Sequence, residues 1–157
     1  MDYKEYKKAS TRHLLTCKYL LNNLETDKNN KNHHLHNIYY LSGYIIETAL
    51  SYAFFSNLKH KGHVEDSEHY HLGFKTHSFY AKIDYMNKCN NGPDLSALPF
   101  IYNKIQDNKI TALFNGWSTD LRYFYGDKVR VKDIDQELLS KYLKYVEEFL
   151  TLILRRF

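Results

Sequence analysis

Apolar side chains recur along the chain at spacings of three and four residues, which is the period of an amphipathic α-helix. Leu14, Cys17, Leu21 and Leu24 form such a stripe in the first segment. In the second segment an apolar stripe and an aromatic stripe run side by side, so we expect a broad buried face and a central position for that helix. The sequence 128–132, KVRVK, alternates but is short enough to be an extended linker. No strand is therefore predicted.

Helical segments follow one another along the chain and are separated by polar or turn-forming stretches, such as TDKNNKN and NNGP. The predicted ranges are Asp2–Asp27, His33–Leu58, His77–Cys89, Pro99–Asp107, Ile110–Tyr125 and Asp133–Arg155. This pattern predicts an all-α fold, an up-and-down helical bundle of five to six helices, in a single domain that covers residues 1–157.

Composition narrows the class of protein further. A length of 157 residues with 43% hydrophobic residues suits one domain with one core, and a net charge of +4 permits an anionic partner without requiring one. The two cysteines, Cys17 and Cys89, are far apart, which favours a reducing compartment over a disulfide framework. The N-terminus is polar, and no apolar run approaches the roughly 18 residues of a membrane span. We expect a cytoplasmic protein that does not enter a membrane.

Glu47 is the first candidate for a functional side chain, because it lies on the aromatic stripe of the second helix. Burying a carboxylate without a partner costs several kcal/mol, so a cation or hydrogen-bond donors must be near. Arg122 is the predicted partner, since its planar guanidinium can hold a carboxylate through two N–H groups. Two interpretations stay open. The pair either joins the second and fifth helices structurally, or Arg122 faces a cleft and binds phosphate.

Several short motifs occur in a fixed order along the chain: a Gly-aromatic-x-x-Glu element, a Thr-His pair near a helix start, and a Trp followed by Arg-Tyr. The matching residues are Gly43, Tyr44, Glu47, Thr76, His77, Trp117, Arg122 and Tyr123. In this order the sequence resembles the HEPN family of small helical bundles, over about positions 5 to 150. The resemblance implies nucleotide or RNA handling, a homodimer, no cofactor, and a role in prokaryotic toxin–antitoxin or antiviral defence systems.

Many members of that family are metal-independent ribonucleases that use an Arg, four to six intervening residues and a His. In this chain Asp127 stands where that His would stand, and no His follows His77. The resemblance therefore implies a catalytic set of Arg122, Asp127 and His77 if the protein is an enzyme. Because the late His is missing, a non-catalytic binding module is the favoured hypothesis. The alternatives are a ribonuclease toxin and a structural subunit of a defence complex.

Cationic and aromatic side chains in the C-terminal half of the chain are the candidates for binding a ligand. Trp117 and Tyr123 offer rings, and Lys128 and Arg130 could meet phosphate. RNA, a nucleotide, or a partner protein such as a nucleotidyltransferase would be the ligand. The His-rich segment 60–77 combines imidazoles with carboxylates, which suits zinc, but its spacing matches no closed metal site, so no metal ligand is assigned. A solvated polar loop is the competing interpretation.

Overall fold

The computed structural model describes residues 1–26, 28–123 and 134–157. These residues form an all-α helical bundle and contain no strand, as the sequence predicts. The α-helices are α1 (Lys4–Asn22), α2 (Lys31–Asn57), α3 (Phe79–Lys88), α4 (Asn108–Gly116) and α5 (Gln136–Arg156). Short 3-10 segments lie at Lys28–Asn30, Val64–Asp66, Ile101–Asn103 and Thr119–Tyr123, and a π-helical turn spans Tyr70–Phe74.

Helix α2 is the centre of the bundle, because it packs against α1, α3 and α5. Its residues Ile45, Ile46, Ala49, Leu50 and Ala53 are completely buried. Burial of consecutive residues on more than one side of the helix confirms the prediction from its two stripes. Helix α5 packs against both α1 and α2, and α4 packs against α5. The side chains of α2, including that of Glu47, are therefore held by the most deeply buried helix of the fold.

Side-chain caps fix where three of the helices begin. The Ser78 side chain accepts a hydrogen bond from the backbone N–H of Ala81, which starts α3. Asp107 and Asp135 cap α4 and α5 in the same way. Such caps satisfy backbone donors that the first turn of a helix leaves without partners. Ser78 also sets where His77, the residue before it, leaves the chain at the start of α3.

The predicted fifth helix, Ile110–Tyr125, ends earlier in the structure than the sequence pattern indicates. Helix α4 stops at Gly116, and Trp117 takes an extended backbone conformation with φ −69° and ψ 136°. The indole of Trp117 instead contacts α2 and donates a hydrogen bond to the carbonyl of Tyr40 at 2.9 Å. A 3-10 segment then follows. Positions 124–125 lie outside the described residues.

The connection between α2 and α3 is ordered by buried side chains rather than being only a solvated polar loop. Val64 and Phe74 are buried in the core, and the backbone N–H of Val64 donates to the carbonyl of Met1 at 2.9 Å. The predicted helix at Pro99–Asp107 is only a 3-10 segment, because Phe100 and Tyr102 have left-handed backbone conformations that interrupt it. In the described part of the chain, no helix has the length and apolar character needed to cross a bilayer.

Candidate functional site

Glu47 contacts a histidine and a lysine on the α3 side of the bundle. His77 places its Nδ1 atom 3.0 Å and 3.1 Å from the two carboxylate oxygens of Glu47, and Lys82 places its Nζ atom 3.7 Å from one of them. Within the described ranges these are the side chains that pair with Glu47, so the predicted pair with Arg122 is wrong. Arg122 lies in the 3-10 segment after Trp117, where the chain has already left the helix that was expected to present it to Glu47.

Lys82 is an almost fully buried cation, with 1% of its surface exposed. Its ammonium group donates a hydrogen bond to the carbonyl of Phe74 at 2.8 Å and lies 5.0 Å from the centre of the Phe74 ring. Burial lowers the pKa of Lys82 to about 8, and the nearby Glu47 carboxylate partly opposes that shift. Lys82 is not among the site residues predicted from the sequence. Its spacing from Phe79 and Met86, three and four residues away, is the signal that places it on the inward face.

His77 is positioned by its neighbours but remains open to solvent. It immediately precedes the cap residue of α3, and 57% of its side chain is exposed. A carboxylate at Nδ1 fixes the orientation of an imidazole and leaves Nε2 to contact another group. The structure thus brings together Glu47 and His77, which the sequence had selected separately, and makes His77 the exposed member of the pair.

Tyr44 links this pair to the other candidate residues. Its ring centre lies 6.4 Å from that of His77 and 5.3 Å from that of Trp117. Its hydroxyl accepts a hydrogen bond from Tyr40 at 3.1 Å. Burial is the main cause that raises the pKa of Tyr44, while the positive charge of Arg122 acts in the opposite direction. The charge of Arg122 therefore reaches the same cluster, although it does not pair with Glu47.

Trp117 is a buried structural support of the cluster. Its ring stacks on Phe79 with centroids 4.7 Å apart and an angle of 11° between the planes. On α2 it occupies the space next to Gly43, where a Cβ atom would lie only 1.9 Å from the indole. This close approach explains why a glycine is present in the middle of a helix. Trp117 also lines the groove described next.

A groove of about 250 Å³ runs between the start of α3 and the chain that follows α4. We call it the His77 groove. Hydroxyl, amide and imidazole side chains supply its polar lining, and these belong to Thr76, His77, Ser78, Asn115, Ser118 and Thr119. Aromatic rings of Phe79, Tyr80, Phe114 and Trp117 supply the rest. This mixture suits a ligand that has both a polar and a planar part.

Arg122 and Tyr123 form an exposed pair a few residues beyond the groove. The guanidinium carbon lies 4.7 Å from the centre of the Tyr123 ring, and 66% of Tyr123 is exposed. No carboxylate among the residues that the structure describes pairs with Arg122. Of the other predicted site residues, Asp127, Lys128 and Arg130 lie outside the described residues. Their placement beside Arg122 stays a prediction from the sequence.

The His-rich connection shows no metal-binding arrangement within the ranges 1–26, 28–123 and 134–157, where no group of three His, Cys, Asp or Glu side chains could hold an ion. The fold and the site together define an all-α helical bundle that carries a polar and aromatic groove. Comparisons of the chain with protein-family models, with curated proteins and with solved structures give no match.

Proposed function

We propose that this protein is a non-catalytic, HEPN-like module that binds RNA or a nucleotide. The observation that carries the proposal is the exposed Arg122–Tyr123 pair, which follows the groove residue Thr119 by three and four positions in the chain. A guanidinium can donate several N–H groups to a phosphate, and an exposed tyrosine ring can stack on an unpaired base. Among the described residues no carboxylate pairs with Arg122, and the guanidinium lies against the exposed Tyr123 ring, an arrangement that could receive an anionic group together with a flat one.

The spatial grouping of the motif residues gives the proposal further support. Gly43, Tyr44 and Glu47 from α2 meet His77 and Trp117 through direct contacts. These residues are far apart in sequence, and two of them, His77 and Trp117, line the groove, while the three from α2 contact those two from behind. The proposal includes a homodimer, a cytoplasmic toxin–antitoxin or antiviral defence setting, and a nucleotidyltransferase or defence-complex partner. Each of these follows from the HEPN resemblance.

Binding of single-stranded RNA at several salt concentrations tests the proposal. Fluorescence anisotropy with a labelled oligonucleotide is expected to show binding that weakens as salt is raised, because phosphate contacts release counterions. Arg122→Ala should weaken binding of every sequence and reduce the slope of log K against log salt by about one. Arg155→Ala removes an equal charge from an exposed position of α5 and serves as the matched control. Absence of binding to both RNA and mononucleotides would refute the proposal.

One observation favours a second candidate, a metal-independent ribonuclease. Glu47 contacts Nδ1 of the exposed His77 and so orients its ring. In many hydrolytic enzymes a carboxylate orients the histidine that acts as general base in the same way. In such a reaction His77 Nε2 would take the proton of a ribose 2′-hydroxyl, and the 2′-oxygen would attack the phosphorus. The 5′-oxygen would then leave with a proton from an acid. Arg122 would stabilise the phosphate charge. Asp127 stands in the sequence where the second catalytic residue of the family, a His, would stand.

Cleavage of RNA in the presence of a chelator separates the two candidates. A ribonuclease should release fragments that end in a cyclic phosphate, and both His77→Asn and Arg122→Ala should abolish that release. His71→Asn changes an exposed histidine in the connection between α2 and α3 and is the matched control. Cleavage that persists in both site variants would exclude this site as its source. Binding without cleavage would leave the module as the better description.

A further inference from the structure

A second hollow lies directly beside the His77 groove. It has a volume of about 160 Å³ and is enclosed by α3, α4 and the chain from Phe100 to Ile105. The two hollows share Tyr80, Phe114 and Asn115. The hydroxyl of Tyr80 donates a hydrogen bond to the side-chain oxygen of Asn115, so this bridge stands between them. The two hollows are therefore neighbours with a shared wall, and a ligand that reaches both must pass over the Tyr80–Asn115 bridge.

The second hollow differs from the groove in being lined mainly by apolar and aromatic side chains: Ile83, Phe100, Ile101, Tyr102, Ile105 and Phe114. We call it the aromatic hollow. Thr111 and Asn115 are its polar positions. An apolar cavity of about 150 Å³ is known to admit one benzene molecule, so there is room here for one six-membered ring. Because the lining is mainly apolar and aromatic, a flat and weakly polar group would fit this hollow best.

The backbone of this segment is strained where it lines the hollow. Phe100 has φ 66° and Tyr102 has φ 54°, in the left-handed region that bulky side chains avoid. Packing accounts for Phe100, because its ring stacks on Phe114 at 4.7 Å with an interplanar angle of 5°. Among the described residues Tyr102 has no comparable stacking contact that would offset its left-handed conformation. Its ring is 66% exposed and makes no hydrogen bond or ring contact with another described residue. Left-handed conformations of non-glycine residues cluster at ligand-binding segments, so this segment is a candidate for one.

We infer that the aromatic hollow binds one unpaired base of the RNA or nucleotide, an inference that rests on the proposed function. The base would lie against Tyr102 and the apolar wall, as bases do on the aromatic platforms of single-strand binding proteins. Asn115 offers amide N–H groups to an oxygen on the edge of the base, since its own oxygen is engaged by Tyr80. The sugar and phosphate would extend into the neighbouring His77 groove, with its hydroxyl and imidazole side chains.

Binding of a short oligouridine tests this inference, because uracil has a single six-membered ring that matches the hollow. Tyr102→Gly removes the ring and suits the left-handed backbone, so the fold should survive. We expect it to weaken oligouridine binding on the order of 10-fold, the size of one lost stacking contact. Tyr19→Ala removes a ring of α1 that is also exposed and should leave the affinity unchanged. Ribose 5-phosphate, which lacks a base, should bind wild type and Tyr102→Gly equally.

The possible results are distinct. If wild type and Tyr102→Gly bind oligouridine equally well, the inference is overturned and the proposed function stands. If wild type binds neither oligouridine nor any nucleotide, the proposed function itself fails. If Tyr102→Gly changes self-association in light scattering and leaves RNA affinity intact, the hollow receives a protein side chain, which also overturns the inference. Should Tyr102→Gly unfold, Tyr102→Asn replaces it, because asparagine tolerates the same backbone conformation.

Discussion

Replacing Gly43 by alanine tests the contact that joins the chain after α4 to the central helix. The added Cβ atom would lie 1.9–2.2 Å from three atoms of the Trp117 indole, so the indole must move. The indole is also stacked on Phe79 at 4.7 Å, which limits how far it can move without losing that contact. The substitution therefore forces a rearrangement of a packed ring rather than a small local shift.

Three free-energy contributions decide the result. Overpacking of a well-packed site costs about 1–3 kcal/mol. Moving the indole also lengthens the 2.9 Å hydrogen bond from Trp117 to the Tyr40 carbonyl, whose loss costs about 1 kcal/mol. Alanine is a better helix former than glycine, and this difference stabilises the variant by up to about 1 kcal/mol. The net expectation is a loss of roughly 2 kcal/mol in the free energy of unfolding, or a fall in Tm of about 4–8 °C for a chain of this size.

Urea unfolding gives the measurement, and Trp117 supplies the signal because it is the only tryptophan in the sequence. Far-UV circular dichroism should report the same transition if unfolding has two states. Asn37→Ala, at an exposed position of the same helix, is the control and should change stability by less than about 0.5 kcal/mol. A Gly43→Ala protein that is as stable as wild type, with an unchanged Trp117 emission spectrum, would refute the close contact.

Other features give shorter predictions. Because burial lowers the pKa of Lys82 to about 8, keeping it charged in the folded state costs stability below that pH, and the cost shrinks as pH rises toward the unfolded value. The unfolding free energy of wild type minus that of Lys82→Met should therefore increase between pH 8 and pH 10, by at most ~1.4 kcal/mol per pH unit; a flat difference in urea titrations would contradict this. Burial raises the pKa of the Cys17 thiol to about 12, so thiol reagents should label the half-buried Cys89 in native protein and reach Cys17 only after unfolding, as mass spectrometry can show. Asp135→Ala removes the cap that accepts the Leu138 N–H at 2.7 Å and should lower the unfolding free energy by about 1 kcal/mol; a loss below ~0.3 kcal/mol would argue against the cap.

The bundle itself could be predicted because α2 and α5 carry long and regular apolar patterns. Burial of α2 follows from two adjacent stripes, and the length of α5 follows from its repeats of three and four residues. The end of α4 could not be predicted in this way. Trp117 fits the helical pattern of the residues before it. In the structure its backbone leaves the helix, and its indole packs against Gly43 of α2 and donates a hydrogen bond to the Tyr40 carbonyl.

Part of the candidate site could be predicted as well. The motif order selected Glu47 and His77, and the structure places them in contact. The partner assigned to Glu47 was wrong because opposite charge alone does not identify the nearest cation. Lys82 reaches the same carboxylate from α3. Its spacing from Phe79 and Met86 places it on the inward face, but lysine is so rarely buried that the residue type argues against that position. The left-handed conformations of Phe100 and Tyr102 have no sequence signal, since neither residue type favours them.

The position of Gly43, Tyr44 and Glu47 on the central helix has an evolutionary consequence. Side chains that hold Trp117 and His77 in place share two helical turns with residues that hold the core together, so one substitution in this short stretch alters both the groove and the stability of the fold. Sequence change should therefore be slow there and faster at exposed positions such as Tyr80 and Tyr102, where a new side chain alters the surface without disturbing the bundle.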